Sequence, residues 1–189
     1  MMREEISMEI ATTGFYEVLS PRCVVLISTV DKDGKSNAAP FSFVTPVSSD
    51  PPLVLYASNP KRHTLDNTRD TGEFVLNLVP EGILERLWTC SKAFPKGVSE
   101  IEKAGLTERK SKKVKAPSIE ECIAWIECTL EFEKEAGDHT LVVGRVVHAE
   151  CKDEFMAKNE FDVTKAKPLM HIRGKRFAVP DRVVQVKGG

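Results

Sequence analysis

The segment from Ser58 to Asn67 combines hydroxyl groups and positive charges where a predicted strand gives way to a predicted helix. The N-terminus of a helix presents unpaired backbone N–H groups and the positive end of the helix dipole, so it favours an anion. Ser58 and Thr64 add hydroxyl donors, while Lys61 and Arg62 add positive charge. A phosphate group would therefore be held from several sides. The alternative is a surface turn in which Thr64 caps the helix.

A second segment, from Asn37 to Ser48, is suited to a flat ring because its first side chains are small. Small side chains would let a ring lie close to the backbone, whose N–H and C=O groups could then bond the ring heteroatoms. The alternative is an edge strand interrupted by Pro40, which cannot donate a hydrogen bond to a sheet. Taken together, the two segments form a candidate site for a planar ring that carries a phosphate.

Several common cofactor and catalytic motifs are absent from the sequence. It contains no Gly-x-Gly-x-x-Gly fingerprint, no Gly-x-x-x-x-Gly-Lys-Ser/Thr loop, no Gly-x-Ser-x-Gly elbow and no His-Glu-x-x-His pair. The five cysteines include no Cys-x-x-Cys pair. We therefore expect reduced thiols, no disulfide framework and no dedicated metal site.

The composition is that of an ordinary globular protein. Of the 189 residues, 41% are hydrophobic, and 27 Lys and Arg against 28 Asp and Glu leave a formal net charge of -1. A near-neutral chain argues against nucleic acid as a partner. No apolar run approaches the ~18 residues of a membrane span, and the stretch Met1–Glu5 lacks the basic start and apolar run of a signal peptide. We expect one cytoplasmic domain over residues 1–189, without a membrane partner.

The elements that must position the two segments are mostly short strands. The β-branched run Cys23–Val30 ends at Asp31-Lys32-Asp33-Gly34, which predicts a hairpin turn into a strand at Ser36–Phe43. A proline-rich loop then leads to a short buried strand, Leu53–Ala57. Helical patterns are predicted at His63–Thr71, closed by Gly72, at Glu81–Cys90 and at Ser99–Ala104.

The second half of the chain returns to strands. In Ala124–Phe132 apolar residues occupy the even positions and polar residues such as Glu127 the odd ones, which predicts one buried and one solvated face. The basic stretch Lys110–Lys115 is predicted to be a solvated connector, and Leu141–Val147 a buried returning strand. Strands joined mostly by hairpins predict a mainly β fold, a barrel with helical decoration, rather than a doubly wound α/β fold.

Several stretches of the chain share one order and spacing with a known family. They are Cys23–Val30, Asn37–Phe43, Val47–Pro52, Asp66–Phe74, Phe94–Val98, Ala104–Leu106, His139–Val146 and Pro168–Gly174. Together they resemble the flavin reductase-like family of FMN-binding split-barrel proteins, which includes the flavoredoxins. The resemblance covers roughly residues 20–178. It implies a Greek-key split β-barrel that forms a homodimer and binds one FMN per subunit.

The resemblance also implies which residues contact the cofactor. Those that would line the isoalloxazine ring are Ala39, Pro40, Phe41, Ser42, Phe43, Val44 and Thr45. Those that would hold the phosphate are Ser58, Lys61, Arg62, His63 and Thr64, with Asn67 near the ribityl chain. His171 and Arg173 would lie beside the flavin or the nicotinamide of a donor. The chain has Phe177 where many relatives carry tyrosine.

The implied activity is that of a flavoprotein oxidoreductase. A reduced nicotinamide-type donor, NADH or NADPH, would pass hydride or electrons through FMN to an acceptor. His171 is the only acid–base candidate, and a structural role is the alternative for it. Three other functions stay open: an FMN-binding electron carrier or redox sensor without its own nicotinamide site, a pyridoxamine-phosphate-oxidase-like enzyme, and a structural domain that binds no flavin.

Overall fold

Strands predominate in the computed structural model, which describes residues 7–187. The strands are β1 (Arg22–Cys23), β2 (Val25–Val30), β3 (Ser36–Phe41), β4 (Val44–Ser49), β5 (Pro52–Ser58), β6 (Glu73–Leu78), β7 (Glu108–Arg109), β8 (Ser118–Ile119), β9 (Ala124–Ala136), β10 (His139–Cys151), β11 (Met156–Ala157), β12 (Glu160–Phe161), β13 (Met170–Arg173) and β14 (Arg176–Ala178). The α-helices are α1 (His63–Thr71), α2 (Leu84–Cys90), α3 (Glu100–Lys103) and α4 (Val163–Ala166). The stretch Met1–Glu5, on which the signal-peptide prediction depends, lies outside the described residues.

Seven antiparallel strands form the main sheet, in the order β3-β2-β6-β9-β10-β5-β4. Its two edges are β3 and β4, so the sheet does not close on itself. Nevertheless, side chains from both halves share one buried core, including Ala39 of β3, Tyr56 of β5 and, at its margin, Val44 of β4. Because strands from opposite edges meet in that core, the sheet wraps around it. The predicted mainly β split barrel is confirmed.

Aromatic packing holds the centre of this core together. The ring of Tyr56 lies 5.2 Å from the ring of Phe41 and 5.2 Å from that of Phe74, in edge-to-face geometry in both cases. The Tyr56 hydroxyl is 3.0 Å from the Thr68 hydroxyl of α1. Edge-to-face aromatic pairs contribute about 0.5–1.5 kcal/mol each beyond the area they bury. The contact between Tyr56 and Thr68 thereby joins helix α1 to the core of the barrel.

Most segments that carry the candidate site fold as their local signals predict, but the predicted proline-rich loop before Leu53 forms the edge strand β4. The turn between β2 and β3 contains Gly34, whose φ of 80° is a conformation that favours glycine. Strand β3 is an edge strand, as the presence of Pro40 predicted. Helix α1 occupies His63–Thr71 and ends at Gly72, whose φ is 72°. Its start lies directly after β5, so the chain delivers the basic segment to one end of the sheet.

A second layer covers the outer face of β2 and β3. Helices α2 and α3 contribute Leu87 and Ile101 to a buried cluster that also contains Leu26 and Ala38 from the two strands. A small sheet with the order β1-β13-β14 adds Phe177 to the margin of this cluster. Strand β3 therefore has the barrel core on one side and the helices on the other.

The predicted solvated face of β9 is wrong at Glu127, whereas Glu131 on the same face is exposed as predicted. Glu127 is only 2% exposed, because residues 111–116 of the predicted solvated connector pack over this face. The Glu127 carboxylate accepts hydrogen bonds from the backbone N–H groups of Lys112 and Lys113, at 2.8 and 2.6 Å. At the other end of the strand, Phe132 is exposed although its even position predicted burial. Alternation of apolar and polar residues therefore predicts which side chains are buried only when the segments that cover each face of the strand are also known.

Other features of the chain can be stated for residues 7–187. No helix in that range is both long and apolar enough to cross a membrane. Nor does that range contain three or more His, Cys, Asp or Glu side chains grouped so that they could hold a metal ion. The five cysteines are free thiols, and three of them, Cys90, Cys122 and Cys128, are buried.

Candidate functional site

Two neighbouring cavities adjoin at strand β3. Cavity A has a volume of about 140 Å³ and contacts Ala39. Cavity B has a volume of about 220 Å³ and contacts the next residue, Pro40. Helix α2 borders both, through Cys90 in cavity A and Leu87 in cavity B. Each cavity alone is smaller than a typical ligand site, which has about 300–1,000 Å³.

Cavity A brings together the two segments singled out in the sequence. From the start of α1 it is lined by Lys61, Arg62, His63 and Thr64, and from β3 by Asn37 and Ala39; the other wall consists of Cys90, Lys92, Ala93, Phe94 and Glu100. Arg62, the N-cap residue of helix α1, makes no side-chain cap, so its side chain leaves the backbone N–H groups of the first helical turn without an acceptor beside this cavity. The Lys61 and Arg62 side chains are exposed at its rim.

The hydroxyl groups in this segment have partners within the protein. Thr64 does not cap the helix; its buried hydroxyl donates to the Oδ1 atom of Asn37 at 3.0 Å. The buried Ser58 hydroxyl donates to the carbonyl oxygen of Asn59 at 3.1 Å. The Asn67 amide donates to the Thr29 hydroxyl at 3.1 Å. The groups that remain free to bind an anion are therefore the Lys61 and Arg62 side chains and the backbone N–H groups of the first turn of α1.

The opposite wall of cavity A carries one acidic residue. Glu100 is only 5% exposed, and its Oε2 atom accepts a hydrogen bond from the Nδ2 atom of Asn37 at 2.8 Å. Burial raises the pKa of this carboxyl group. Burial also raises the pKa of the neighbouring Cys90 thiol, to about 12, so that thiol is neutral near pH 7. Cys90 therefore serves in packing rather than as a nucleophile.

Cavity B is mostly apolar and aromatic. Trp88 of α2 and Phe177 of β14 line it together with Pro40 and Phe41. His171 also lines it, and both of its ring nitrogens have partners: Nδ1 lies 3.2 Å from the Ser42 hydroxyl and Nε2 lies 3.1 Å from the Gly174 carbonyl oxygen. Because a carbonyl only accepts, Nε2 carries a proton and donates to Gly174. These contacts fix the orientation of the ring.

A family assignment follows from the sequence as a whole. Residues 19–180 match the sequence profile described as Flavin reductase like domain. The chain belongs to the flavin reductase-like family. This confirms the predicted resemblance, and membership assigns the chain to flavin-related redox chemistry with a flavin cofactor.

Individual relatives agree with the assignment. The chain is 42% identical over 166 residues to an uncharacterised protein of Methanothermobacter thermautotrophicus, covering 85% of this chain and 78% of that protein. It is 31% identical over 134 residues to a flavin reductase of Pseudomonas putida, covering 71% of this chain and 75% of that enzyme. The crystal structure of nitrilotriacetate monooxygenase component B from Bacillus cereus matches with a TM-score of 0.85 at 25% identity, covering 98% of this chain and all of that one.

For a member of the flavin reductase-like family, the donor set of cavity A fits a phosphate ester. Lys61 and Arg62 supply charge, and the start of α1 supplies unpaired N–H groups in a fixed direction. The adjoining edge strand β3 leaves backbone groups on its outer side without a neighbouring strand. A planar ring with polar edges could bond to such groups.

Some of the predicted site residues of this flavin reductase-like chain line cavities A and B, and others do not. Cavities A and B are lined by Ala39, Pro40, Phe41, Ser42, Lys61, Arg62, His63, Thr64 and His171. Neither cavity is lined by Phe43, Val44, Thr45, Ser58, Asn67 or Arg173. The Phe43 ring instead lies 5.6 Å from that of His139, and Arg173 pairs with Glu17 at 3.1 Å.

Sequence reasoning missed several residues that line the two cavities. Leu87 and Trp88 were recognisable only as part of an apolar helical face. Glu100 follows a Ser that caps α3 through its side chain, which is a signal for a helix start and not for a ligand site. No local pattern connects Glu100 to Asn37, because 63 residues separate them.

Proposed function

We propose that this chain binds FMN and acts as an oxidoreductase, passing hydride from NADH or NADPH through the flavin to a second acceptor. The observation that carries the proposal is the meeting of Ala39 with Lys61 and Arg62 at one cavity, next to an uncapped helix start. Family membership supplies the flavin, and the anion-binding character of cavity A favours a flavin that ends in a phosphate.

In this proposal the phosphate lies in cavity A. Lys61 and Arg62 supply charge, and the backbone N–H groups of His63 and Thr64 point along the helix dipole. The hydroxyls of Ser58 and Thr64 and the amide of Asn67 are buried and already bonded, so they hold strand β5 and helix α1 in place behind the phosphate.

The isoalloxazine ring would lie along the segment from Ala39 to Thr45. That segment ends edge strand β3 and begins edge strand β4, so it contains backbone groups that no second strand covers. Ser42, which is bonded to His171, would be fixed beside the ring, and Phe43 and Val44 would continue the wall. Arg173 would lie farther out, on β13, where the charge of a donor or an acceptor could reach it.

When bound, FMN supplies the redox chemistry, because its ring accepts a hydride and passes electrons on. The chain's part is to bind, orient and exclude water. The aromatic walls of cavity B, Trp88 and Phe177, offer an apolar surface to the ring of a donor next to Pro40. Hydride transfer needs the reacting atoms within about 3–3.5 Å, which such stacking surfaces help to achieve. His171, with both nitrogens engaged, keeps this wall in position.

We also propose that the protein is a cytoplasmic homodimer. Support for a reducing compartment comes from the five free thiols. Support for self-association comes from apolar side chains left exposed near both ends of the chain, among them Phe15, Leu19 and Val184.

The test is spectroscopic. Purified protein should carry a flavin absorbance spectrum and release FMN on denaturation, and anaerobic addition of NADH or NADPH should bleach that spectrum. Riboflavin, which lacks the phosphate, should bind more weakly than FMN. Colourless protein that does not take up added FMN would contradict FMN binding. Protein that binds FMN and is bleached by neither nicotinamide would instead be an electron carrier or sensor.

A further inference from the structure

A buried chain of hydrogen bonds links the acidic wall of cavity A to the barrel core. Glu100 accepts from the Asn37 amide at 2.8 Å, and the Asn37 carbonyl oxygen accepts from the Thr64 hydroxyl at 3.0 Å. The Thr64 carbonyl oxygen accepts from Thr68 at 2.8 Å, and Thr68 lies 3.0 Å from the Tyr56 hydroxyl. All five residues are buried. The chain crosses the first turn of α1, where the cations of cavity A are located.

Glu100 fixes the direction of this chain. A carboxylate can only accept, so it holds the Asn37 amide with its NH₂ group toward Glu100 and its oxygen toward Thr64. Thr64 is then held as a donor, and the first turn of α1 stays against β3. A protonated carboxyl group retains an oxygen that accepts, so the chain can persist in either charge state.

The charged groups around Glu100 are mostly basic. The start of α1 contributes Lys61, Arg62 and His63, and the loop after α2 contributes Lys92. On α2 lies the Cys90 thiol, whose raised pKa keeps it neutral near pH 7. On the far side, Glu108 of β7 bonds to Ser36, which in turn lies 2.9 Å from the Ser99 hydroxyl at the start of α3. Burial dominates the raised pKa of Glu100, against the opposing contributions, in order of size, of its own backbone N–H, the Ala38 backbone, His63 and Asn37.

A phosphate in cavity A would add a second negative charge to the cavity that Glu100 already lines. Like charges that share a site disfavour ionisation, and the effect is stronger where water is excluded. We propose that Glu100 positions the phosphate-binding turn of α1 through Asn37, and that its negative charge opposes that of the FMN phosphate, so that protonation of Glu100 favours FMN binding. This inference rests on the proposed function, since it requires the phosphate to lie in cavity A.

The sign of the pH effect follows from this coupling. The phosphate raises the pKa of Glu100 above its value in the flavin-free protein, so the complex binds more protons than its free components. FMN affinity must then fall as pH rises through that interval. The phosphate, whose second pKa is about 6, ionises in the same range, so wild-type data alone do not isolate Glu100.

The decisive comparison uses Glu100→Gln. Glutamine retains an oxygen that can accept from Asn37 but carries no charge. Glu102→Gln is the matched control, because Glu102 lies on the same helix with an exposed side chain. The dissociation constants of FMN and riboflavin would be measured by flavin fluorescence at several pH values. Near pH 8 Glu100→Gln should bind FMN about tenfold more tightly than wild type, since one unit of pKa shift corresponds to a factor of ten. That gap should narrow toward pH 5, and Glu102→Gln should follow wild type throughout.

Several outcomes would overturn the inference. One such outcome is that wild type and Glu100→Gln bind FMN with equal affinity near pH 8. Another is that the two proteins differ as much in their affinity for riboflavin as in their affinity for FMN. If neither the wild type nor any variant binds FMN, the proposed function is contradicted instead. Thermal unfolding checks that Glu100→Gln folds. If it does not, titration calorimetry of His63→Gln in buffers of different ionisation enthalpy, at several pH values between 5 and 8, counts the protons taken up on binding. FMN binding should take up more protons than riboflavin binding toward the acidic end of that range, and equal uptake for the two ligands at every pH would refute the proposal.

Discussion

At the scale of single residues, cavity A separates the groups that support the site from those that can contact an anion. Thr64 and Asn67 direct their side chains to Asn37 and Thr29, inside the protein. Lys61 and Arg62 remain exposed at the rim. The electrostatic part of the proposed phosphate binding should therefore depend on these two cations more than on the hydroxyls.

Replacing both Lys61 and Arg62 by Ala should weaken FMN binding by tenfold or more. Hydrogen bonds to charged groups contribute about 1.5–3 kcal/mol, and about 1.4 kcal/mol corresponds to a factor of ten. Fluorescence titration with FMN and riboflavin would measure this, and riboflavin affinity should change little. The control is Lys165→Ala with Arg182→Ala, which removes two exposed charges that line neither cavity. If the two double variants bind FMN equally, the phosphate lies elsewhere.

Local sequence signals were sufficient for some of these residues and not for others. The basic run before α1 was recognisable because adjacent residues share a helix start. Glu100 and Asn37 were not, because their contact depends on how α3 packs against β3. The use of the Thr64 hydroxyl is likewise decided by Asn37, 27 residues earlier in the chain.

At the scale of elements, the strongest predictions were those with a complete local cause. Helix α1 was predicted with its observed bounds because Gly72 ends it, and the β2–β3 hairpin because Gly34 permits its turn. For strand β9 the local pattern predicted the wrong exposure at Glu127. Its second face is covered by residues 111–116, and Glu127 is buried there as an acceptor for their backbone. The alternation of polar and apolar residues cannot show whether the polar face of a strand contacts water or a loop whose backbone forms hydrogen bonds with the polar side chains.

Glu127→Ala should therefore destabilise the fold, by about 3 kcal/mol. It removes both hydrogen bonds to the backbone N–H groups of Lys112 and Lys113, and such bonds to a charged acceptor contribute about 1.5–3 kcal/mol each. Urea unfolding would give the free energy of unfolding. Glu131→Ala on the same strand is the control, and it should cost clearly less because its pairing with Arg145 occurs at the surface. Similar losses for both variants would show that the Glu127 contacts add little.

At the scale of the whole molecule, the split sheet explains why a candidate site forms where it does. The two edges β3 and β4 are joined by the short link around Ser42, and the cavities adjoin at β3. An uncovered edge also invites pairing or burial against another chain. The sequence pattern predicted the barrel class from its hairpins, but the composition contained no signal for the side chains that the fold leaves outside.

Those outside side chains lead to a prediction of oligomeric state. Exposed apolar residues cluster in sequence before β1 and after β14, namely Met8, Ile10, Phe15, Val18 and Leu19, and Val183, Val184 and Val186. Exposed large apolar side chains favour association, and a symmetric dimer is the commonest way to bury them. In sedimentation equilibrium the protein should have the mass of two 21.0 kDa chains. Replacing Phe15 and Leu19 by Ser should shift the equilibrium toward the single chain, because it removes apolar area worth about 25 cal/mol per Å². A wild-type protein that sediments as one chain at all concentrations would contradict the predicted homodimer.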